Sequence, residues 1–423
     1  MWRALYGVAL ALALPLIPLR LWWRGRREPG YRTNVGERFG RYAAKPAKPV
    51  IWVHAVSLGE TRAAQPLLRA LAERFPAHQL LVTQMTATGR EAARTLYGDK
   101  ALIAFLPYDY PFAVARFIEH FRPQLGILME TEVWPNLLRA ARDRHVPVLL
   151  ANARLSEKSA RGYARIASLA REAFGNLTVV AAQSEGDAAR LRAVGAKDVE
   201  VTGNMKFDNT PAPAMLDLAR RFRDQYGDRR VLLLASTREG EEPLLLDALT
   251  ADPLADVLVV LVPRHPQRFD EVAGMLAKRG LSFMRRSEDR TVPPDVRFVL
   301  GDSMGEMAAY YASCNVTIIG GSLLPFGAQN LIEACAVGAP VIIGPSTFNF
   351  SQAAELAIES GAAVQVRDAA EAVAFATTLL EDPSRLAAMS AAGRSFSAAH
   401  RGATTRTMAI VERLLGANSG TRG

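Results

Sequence analysis

The sequence contains very little cysteine and lacks the common short motifs for binding a metal ion or a nucleotide cofactor. Among 423 residues only Cys314 and Cys335 are cysteines, and both lie in apolar stretches, where buried free thiols are the ordinary expectation. They provide neither a disulfide framework nor the spacing of a zinc site. A Walker phosphate-binding loop and a clean G-x-G-x-x-G fingerprint are also missing. We therefore expect no metal ion and no resident cofactor, and metal-free transfer or binding remains open.

The sequence also lacks an extended basic region outside its amino terminus. The formal net charge is +9, but residues 1–50 hold ten Lys or Arg and only two Glu. The rest of the chain therefore carries a net charge of only about +1. Proteins that bind nucleic acid spread Lys and Arg over a whole face, so no nucleic-acid partner is expected.

Long apolar runs are rare as well, and the longest one lies at the amino terminus. Residues 4–19 carry no charge, although Pro15 and Pro18 interrupt them. As a helix with a rise of ~1.5 Å per residue, this stretch would span roughly 24 Å, against about 30 Å for the hydrocarbon core of a bilayer. We predict that residues 1–24 form an uncleaved membrane anchor, which either spans the bilayer or lies in its interface.

The residues that flank the apolar run indicate its orientation. Trp22 and Trp23 suit the headgroup level, and the arginines that follow them would stay on the cytoplasmic side and attract anionic lipid. A cleaved signal peptide is the alternative, since residues 11–13 read Ala-Leu-Ala. Most of the positive charge follows the run, however, and this favours a retained anchor with a cytoplasmic body.

Beyond the anchor the composition is that of a globular protein with two domains. Hydrophobic residues make up 49% of the chain and charged residues 22%, and the chain is longer than one hydrophobic core usually supports. Short apolar runs alternate with helical patterns, which predicts parallel sheets covered on both faces. The predicted strands are residues 50–53, 80–83, 102–106, 125–129, 148–151, 179–181 and 199–202, and then 231–235, 257–261, 297–300, 316–319, 341–343 and 363–366.

A polar stretch with two prolines, residues 209–230, separates the two series of strands. We interpret it as a linker between two doubly wound, Rossmann-like domains, residues 25–208 and 231–400, with a helix and tail at 401–423. Ligands of open parallel sheets bind beyond the carboxyl ends of the strands, so the loops at those ends are where chemistry is expected, facing a cleft.

Three charged residues of the first domain follow predicted strands. Glu60 opens a helix after the first strand, Glu130 comes directly after the fourth, and Lys206 lies near the domain boundary. Glu60 and Lys206 have ordinary explanations, because a Glu in a first helical turn complements the helix dipole and an exposed boundary Lys is merely solvated. Glu130, directly after a buried strand, is either solvated or functional. A functional Glu60 would accept a proton from a hydroxyl group, and Lys206 would meet a phosphate or carboxylate.

The second domain supplies loops suited to a nucleotide. Arg264 follows the strand that ends at 261, and Gly305 allows close approach of the backbone at a helix start. A Gly-rich loop then enters a helix near Asn330, where free N–H groups favour phosphate, and Glu333 is placed to bind a ribose diol. Together these features predict a nucleotide-sugar site.

Taken together, the sequence motifs of both domains can be compared with those of a known family. The chain resembles the 3-deoxy-D-manno-octulosonic acid (Kdo) transferases, glycosyltransferases of two-domain GT-B fold that act in lipopolysaccharide assembly. The resemblance extends over nearly the whole chain. It rests on GERFG, HAVSLGE, METEVWPNL, ANARLS, GNMKFD, VPRHPQRF, GDSMGE, QNLIEA and GPSTFNF, which occur in the family's order.

The resemblance assigns roles to individual residues. It implies that Glu60 is the general base and that Glu130 and Lys206 stabilise the transition state. It further implies that nine residues contact the cytidine nucleotide of the donor: Pro263, Arg264, Met304, Gly305, Glu306, Asn330, Leu331, Ile332 and Glu333. In one departure from the family pattern, Gln329 stands where a His usually precedes the Asn, so a charged imidazole has no counterpart here.

The family also implies the reaction and its place in the cell. The enzyme would move Kdo from CMP-Kdo to a lipid A precursor (lipid IVA) by inverting displacement, at the cytoplasmic face of the inner membrane. Two rival functions stay open, a nucleotide-sugar epimerase and a non-catalytic nucleotide-sugar sensor. The membrane anchor argues against the epimerase. Mutation of Glu60 to Gln would leave the function of a non-catalytic sensor intact, and would thereby distinguish a sensor from a transferase.

Overall fold

A computed structural model of the chain describes residues 2–251 and 256–419, and these fold as two compact units. Unit 1 runs as far as Asn209 and takes up the chain again from Arg401, whereas unit 2 is Thr210–His400. Each unit is built on a seven-stranded sheet in which all strand pairs are parallel.

The sheet of unit 1 has the strand order β3-β2-β1-β4-β5-β6-β7. Its strands are β1 (Val50–His54), β2 (Gln79–Gln84), β3 (Ala101–Phe105), β4 (Leu125–Met129), β5 (Val148–Ala153), β6 (Val179–Ala182) and β7 (Val199–Val201). Its helices are α1 (Trp2–Ala13), α2 (Leu16–Arg24), α3 (Leu58–Ala63), α4 (Gln65–Arg74), α5 (Ala87–Tyr97), α6 (Pro111–Phe121), α7 (Pro135–Asp143), α8 (Glu157–Arg165), α9 (Ala167–Gly175), α10 (Glu185–Ala193) and, from the end of the chain, α19 (Ala403–Ser419).

Both faces of this sheet are buried, which explains why its central strands are continuous apolar runs. Val50 and Trp52 point into one core cluster, with residues of α6, α7, α9 and α10. Ile51 and Val53 point into the opposite cluster, which includes α4 and α19. The carboxylate of Asp208 accepts hydrogen bonds from the backbone N–H groups of residues 402 and 404, and so fixes the start of α19 against unit 1.

The sheet of unit 2 has the strand order β10-β11-β9-β8-β12-β13-β14. Its strands are β8 (Arg230–Thr237), β9 (Val257–Pro263), β10 (Phe283–Arg285), β11 (Phe298–Leu300), β12 (Val316–Ile319), β13 (Val341–Ile343) and β14 (Ala363–Gln365). Its helices are α11 (Pro213–Tyr226), α12 (Glu241–Ala251), α13 (Phe269–Lys278), α14 (Met307–Ser313), α15 (Leu331–Val337), α16 (Ser351–Glu359), α17 (Ala369–Leu380) and α18 (Pro383–Ala399).

The stretch predicted as a linker, residues 209–230, contains helix α11 of unit 2. Pro213 occupies the first helical position, where its missing N–H costs nothing. The helix buries Phe222 and Tyr226, and the Phe222 ring packs against Tyr310 of α14 with 5.0 Å between centroids. The polar character of the stretch therefore reflects the exposed face of a packed helix.

Helices α1 and α2 form a bent pair at the amino terminus. Within the described residues no single helix is long and apolar enough to cross a membrane, but this pair, bent by 58°, meets the length and composition criteria together. The break falls next to Pro15, as the sequence indicated, while Pro18 lies inside the first turn of α2. Leu12, with 71% exposure, and Leu19, with 63%, are among its exposed apolar side chains.

Candidate active site

Glu60 lies in the first turn of α3, just after strand β1. The Ser57 side chain caps this helix by accepting a hydrogen bond from the Glu60 backbone N–H. In return, Glu60 Oε2 accepts from Val56 N at 2.8 Å, and Glu60 Oε1 accepts from Ser57 Oγ at 3.2 Å. The carboxylate thus has the helix-start position expected for this residue, and these bonds hold its orientation.

Glu130 and Lys206 form an ion pair in the same unit, with 3.5 Å between Lys206 Nζ and Glu130 Oε1. Glu130 follows β4 with a φ of +60°, a left-handed conformation that is unusual for a residue other than glycine. Its backbone N–H donates to Ala151 O at 2.9 Å, which ties the turn to the neighbouring strand β5. Backbone strain held by surrounding structure is typical of functional sites.

Asn152 is a supporting residue that the sequence analysis did not single out. It sits at an irregularity in the pairing of β5, with a φ of +54°. Its side-chain oxygen accepts from Met205 N at 3.0 Å, and its backbone carbonyl accepts from Gln183 Nε2 at 2.9 Å. Asn152 therefore fixes the turn that carries Lys206. The signal in the sequence was an Asn at a strand end, because Asn tolerates this conformation.

The surroundings of Glu60 disfavour its charged form. Burial raises the pKa of Glu60 to about 8, with further contributions from the negative charges of Glu130 and Glu132, although the hydrogen bonds from Val56 and Ser57 act in the opposite direction. Burial also raises the pKa of Glu132, which is opposed by its hydrogen bond from the Trp134 indole. A carboxyl group whose pKa lies near neutrality is suited to exchange protons with a bound ligand.

His54, the histidine of the same stretch, is not suited to that role. Complete burial lowers the pKa of His54 to about 3, so the ring stays neutral at physiological pH. Its Nδ1 lies 2.9 Å from Thr83 Oγ1, which also accepts a hydrogen bond from the Trp52 indole. These contacts give His54 a structural role beneath the strand ends.

In unit 2 the loops after β9 and β12 are joined by a side-chain hydrogen bond. Pro263 ends β9, and Arg264 donates from its backbone to Thr237 O at 3.0 Å. The Arg264 side chain donates through Nε to Gln329 Oε1 at 3.1 Å. Gln329 thus orients the arginine that the sequence assigns to the nucleotide, a role that needs no charge on the side chain.

Met304, Gly305 and Glu306 form the turn between β11 and α14. Gly305 has a φ of +85°, which favours glycine, and Met304 is 48% exposed. The Glu306 carboxylate accepts hydrogen bonds from Ser303 and Arg286. Residues 301–305 also have the letters G-x-S-x-G, but Ser303 Oγ binds Glu306 and Tyr310 rather than a histidine, so this is not a nucleophile elbow.

Asn330 caps helix α15. Its Oδ1 accepts from Ile332 N at 3.1 Å, and its Nδ2 donates to Glu333 Oε1 at 2.9 Å. The side chains of Leu331 and Ile332 are buried, so these two residues can offer only backbone groups to a ligand. The four predicted residues are thus consecutive at one helix start, with the Asn and Glu side chains already bonded to each other.

The predicted site residues therefore form two sets. Unit 1 contains the ionisable residues Glu60, Glu130 and Lys206, and unit 2 contains the loops predicted to bind the nucleotide. Among residues 2–251 and 256–419, no group of three His, Cys, Asp or Glu side chains is arranged to hold a metal ion.

Comparison with known families gives consistent results for the two units. Residues 33–209 match the model of the 3-deoxy-D-manno-octulosonic-acid transferase (kdotransferase) family. Residues 263–396 match the model of glycosyl transferases group 1. Each match lies within one of the two sheet-containing units.

Curated relatives align over the full chain. The 3-deoxy-D-manno-octulosonic acid transferase of Bordetella pertussis is 46% identical over 98% of this chain and 100% of its own length. That of Haemophilus influenzae is 34% identical over 99% of this chain and 100% of its own length. A solved glycosyltransferase from Rickettsia africae is similar in fold, with a TM-score of 0.60 over 87% of this chain and 99% of that chain, at 14% identity.

The fold is that of the GT-B glycosyltransferases, in agreement with the expectation from sequence. The epimerase and sensor alternatives are not supported by relatives of this identity and coverage. The chain belongs to the family of 3-deoxy-D-manno-octulosonic acid transferases and is a Kdo-transferring glycosyltransferase.

Proposed function

We propose that this enzyme moves Kdo from CMP-Kdo to a hydroxyl group of a lipid A precursor (lipid IVA), with inversion at the anomeric carbon, in lipopolysaccharide core biosynthesis. The observation that carries the proposal is the Glu60 carboxylate, whose pKa is raised to about 8, in the same unit as the Lys206–Glu130 ion pair. A base of this kind matches the proton transfer that an alcohol acceptor requires.

Glu60 acts in this scheme as the general base. The acceptor hydroxyl oxygen forms a bond to the anomeric carbon while the bond from that carbon to the CMP phosphate oxygen breaks. The hydroxyl proton passes to the Glu60 carboxylate, and CMP leaves with the electron pair. Both Glu60 oxygens already accept one hydrogen bond each, and each carboxylate oxygen has capacity for a second.

Lys206 supplies positive charge in the transition state. Breaking the bond to CMP builds negative charge on the phosphate, and a fixed ammonium group stabilises that charge better than water does. Glu130, 3.5 Å from Lys206 Nζ, and Asn152, which holds the backbone of Met205, limit the positions available to the lysine. Glu130 thus acts mainly by positioning Lys206 and by raising the pKa of Glu60.

The nucleotide is assigned to unit 2. Arg264, oriented by Gln329, is the phosphate ligand, and Pro263 lies beside it. Glu333 is placed for the ribose diol, while residues 304–306 and the backbone of residues 330–332 complete the contacts. The scheme assigns no step to a metal ion or a cofactor.

The proposed function is tested by incubating the purified protein with CMP-Kdo and a purified lipid A precursor. The mass of the lipid product is then measured by mass spectrometry. The expected product is the precursor enlarged by one or more Kdo residues, with an equal amount of CMP released. A second CMP-linked sugar acid, CMP-N-acetylneuraminate, serves as control donor and should give no product. Release of CMP without any gain in lipid mass would contradict the proposed acceptor.

We also infer that helices α1 and α2 attach the enzyme to the cytoplasmic face of the inner membrane. The exposed leucines of the pair offer apolar surface, and Arg26 stacks on the Trp22 ring at 4.9 Å next to further arginines. Such a combination of aromatic and basic side chains suits a headgroup region with anionic lipid. Tyr6, which donates to Asp109 at 2.8 Å, links the first helix to the rest of unit 1.

Deleting residues 1–24 should weaken binding to vesicles that contain anionic lipid and leave transfer to detergent-dispersed acceptor measurable. The reason is that the main cores of unit 1 are formed by residues 50 and beyond. Vesicle flotation and a transfer assay in detergent measure the two effects. A full-length variant with Arg24, Arg26 and Arg27 changed to Gln is the control, and it should lose roughly 1 kcal/mol of binding per charge on anionic vesicles only. Loss of folding on truncation would contradict a separable anchor.

A further inference from the structure

The loop after β8 lies at the centre of the nucleotide loops, yet neither the sequence resemblance nor the proposed contacts give it a function. Strand β8 is flanked by β9 and β12 in the sheet. The loop after β9 carries Pro263 and Arg264, and the loop after β12 leads to Asn330. Because parallel strands end at the same edge of the sheet, the β8 loop, residues 238–240, lies between these two loops.

Backbone and carboxylate contacts hold the β8 loop rigidly against its neighbours. The buried Glu241 carboxylate accepts from the backbone N–H groups of Arg238, Gly321 and Leu323, at 2.8, 2.6 and 3.0 Å. Ser236, with a φ of +57°, approaches residue 320 so closely that a Cβ added there would lie 2.4 Å from Ser236 O. A loop held this firmly presents its side chains in fixed positions.

Arg238 is the side chain that this loop presents beside the Gly-rich loop. Its guanidinium lies over the Phe326 ring, 4.3 Å from the centroid. Its Nε is buried without a hydrogen-bond partner, and among the described residues no carboxylate forms an ion pair with it. Arg268 nearby shows the contrast, since it is paired with both Glu242 and Glu271.

Arg238, Arg264 and Gln329 belong to one cluster. A Cβ added at Gly321 would lie 3.0 Å from Gln329 Nε2 and 3.5 Å from Arg238 Cγ, and Gln329 Oε1 accepts from Arg264. Electrostatics supports this grouping, because the pKa of His265 is lowered first by burial and then by the charges of Arg238 and Arg264. Two arginines and a hydrogen-bonding amide therefore lie together in one cationic cluster.

We propose that Arg238 binds the carboxylate of the sugar acid in the donor, beside Arg264 on the nucleotide phosphate. This inference rests on the proposed CMP-Kdo donor, which has two anionic groups on either side of the anomeric carbon. Arg264 is assigned to the phosphate, which is one of these two groups. The Arg238 guanidinium is held by an aromatic ring and, within residues 2–251 and 256–419, forms no ion pair with a carboxylate. It is therefore suited to bind the other anionic group, since Arg and carboxylate match in planar geometry.

The inference assigns a specificity role to Arg238. An ordinary sugar nucleotide lacks the carboxylate and would leave the Arg238 guanidinium without an anionic partner. A buried or half-buried charge without its partner disfavours the complex. Arg238 would therefore select sugar acids over neutral sugars, independently of the recognition of cytidine.

The test is a binding cycle between Arg238 and the ligand carboxylate, measured by calorimetry on the full-length protein. The ligands are a hydrolysis-resistant phosphonate analogue of CMP-Kdo, its carboxamide derivative and CMP. The proteins are wild type, Arg238→Gln and Arg238→Lys, with Arg367→Gln as a matched control because Arg367 is an exposed arginine paired with Glu371 in the same unit.

Wild type should bind the carboxylate analogue roughly tenfold or more tightly than the carboxamide, as expected for a hydrogen-bonded charge pair. Arg238→Gln should abolish this preference and leave CMP affinity unchanged, Arg238→Lys should retain part of it, and Arg367→Gln should behave as wild type. An undiminished preference in Arg238→Gln, or an equal loss of affinity for CMP, would overturn the inference alone. Failure of wild-type protein to bind CMP and the analogue would overturn the proposed donor as well.

Discussion

Replacing Glu60 with Gln is expected to lower the rate of Kdo transfer by about 10²- to 10⁴-fold, the usual contribution of a general base. Glutamine keeps an oxygen that can accept the hydrogen bond from Val56 N, so the start of helix α3 should be preserved. Glutamine cannot take up the acceptor's proton, so only the rate of the chemical step should fall. CMP affinity should stay within about twofold, because the nucleotide is assigned to unit 2.

Transfer of radiolabelled Kdo and calorimetry with CMP measure these two quantities on the same preparation. Glu73→Gln is the matched control, since Glu73 is an exposed residue on the neighbouring helix α4. This control should have wild-type activity. Turnover near the wild-type rate in Glu60→Gln would show that another group, or water alone, removes the proton.

Replacing Lys206 with Met should lower kcat by about 10²- to 10³-fold, the loss found when one preorganised charge-stabilising group is removed. The charge on the departing phosphate exists mainly in the transition state, so KM for the donor should change much less than kcat. Lys206→Arg keeps the positive charge near Glu130 and should recover part of the rate.

Steady-state kinetics with detergent-dispersed acceptor gives kcat and KM separately. Lys197→Met, at an exposed lysine in unit 1, is the control for loss of charge alone. A rise in KM with kcat unchanged would mean that Lys206 binds substrate and transition state equally, and the assignment of a transition-state role would be wrong.

The sheets were largely predictable because their central strands are buried on both faces. Continuous apolar runs such as residues 125–129 and 231–235 coincide with β4 and most of β8. The prediction missed β10, Phe283–Arg285, a three-residue edge strand that contains an arginine. An edge strand pairs on one side only, so its sequence need not be apolar throughout.

The packing of the helices was less evident from sequence. Helix α11 lies within the stretch that was interpreted as a linker, because only a few of its side chains, Phe222 and Tyr226 among them, are buried. The position of α19 depends on Asp208, which is almost two hundred residues away in the chain. Contacts between such distant residues leave no periodic signal in the sequence.

The residues of the candidate site were likewise predictable only in part. Glu130 was singled out from its position after a strand and Lys206 from its position near the domain boundary, and the structure brings them into one ion pair. Asn152 and Arg238 were not singled out, since their importance depends on left-handed backbone turns at 152 and 236 and on neighbours from other loops. The roles of Glu60, Glu130 and Lys206 remain predictions that the experiments above address.

The pH dependence of kcat/KM tests most directly whether Glu60 is the base, because it reports the ionisation of the free enzyme. The base must be deprotonated, and burial raises the pKa of Glu60 to about 8. The rate should therefore rise by about tenfold per pH unit below that value and level off above it. The Glu130→Gln variant lacks one of the negative charges that raise the pKa of Glu60. The break in its profile, which is the pH at which the rate levels off, should therefore move to lower pH. A flat profile between pH 6 and 9, or a break that Glu130→Gln leaves in place, would contradict this account.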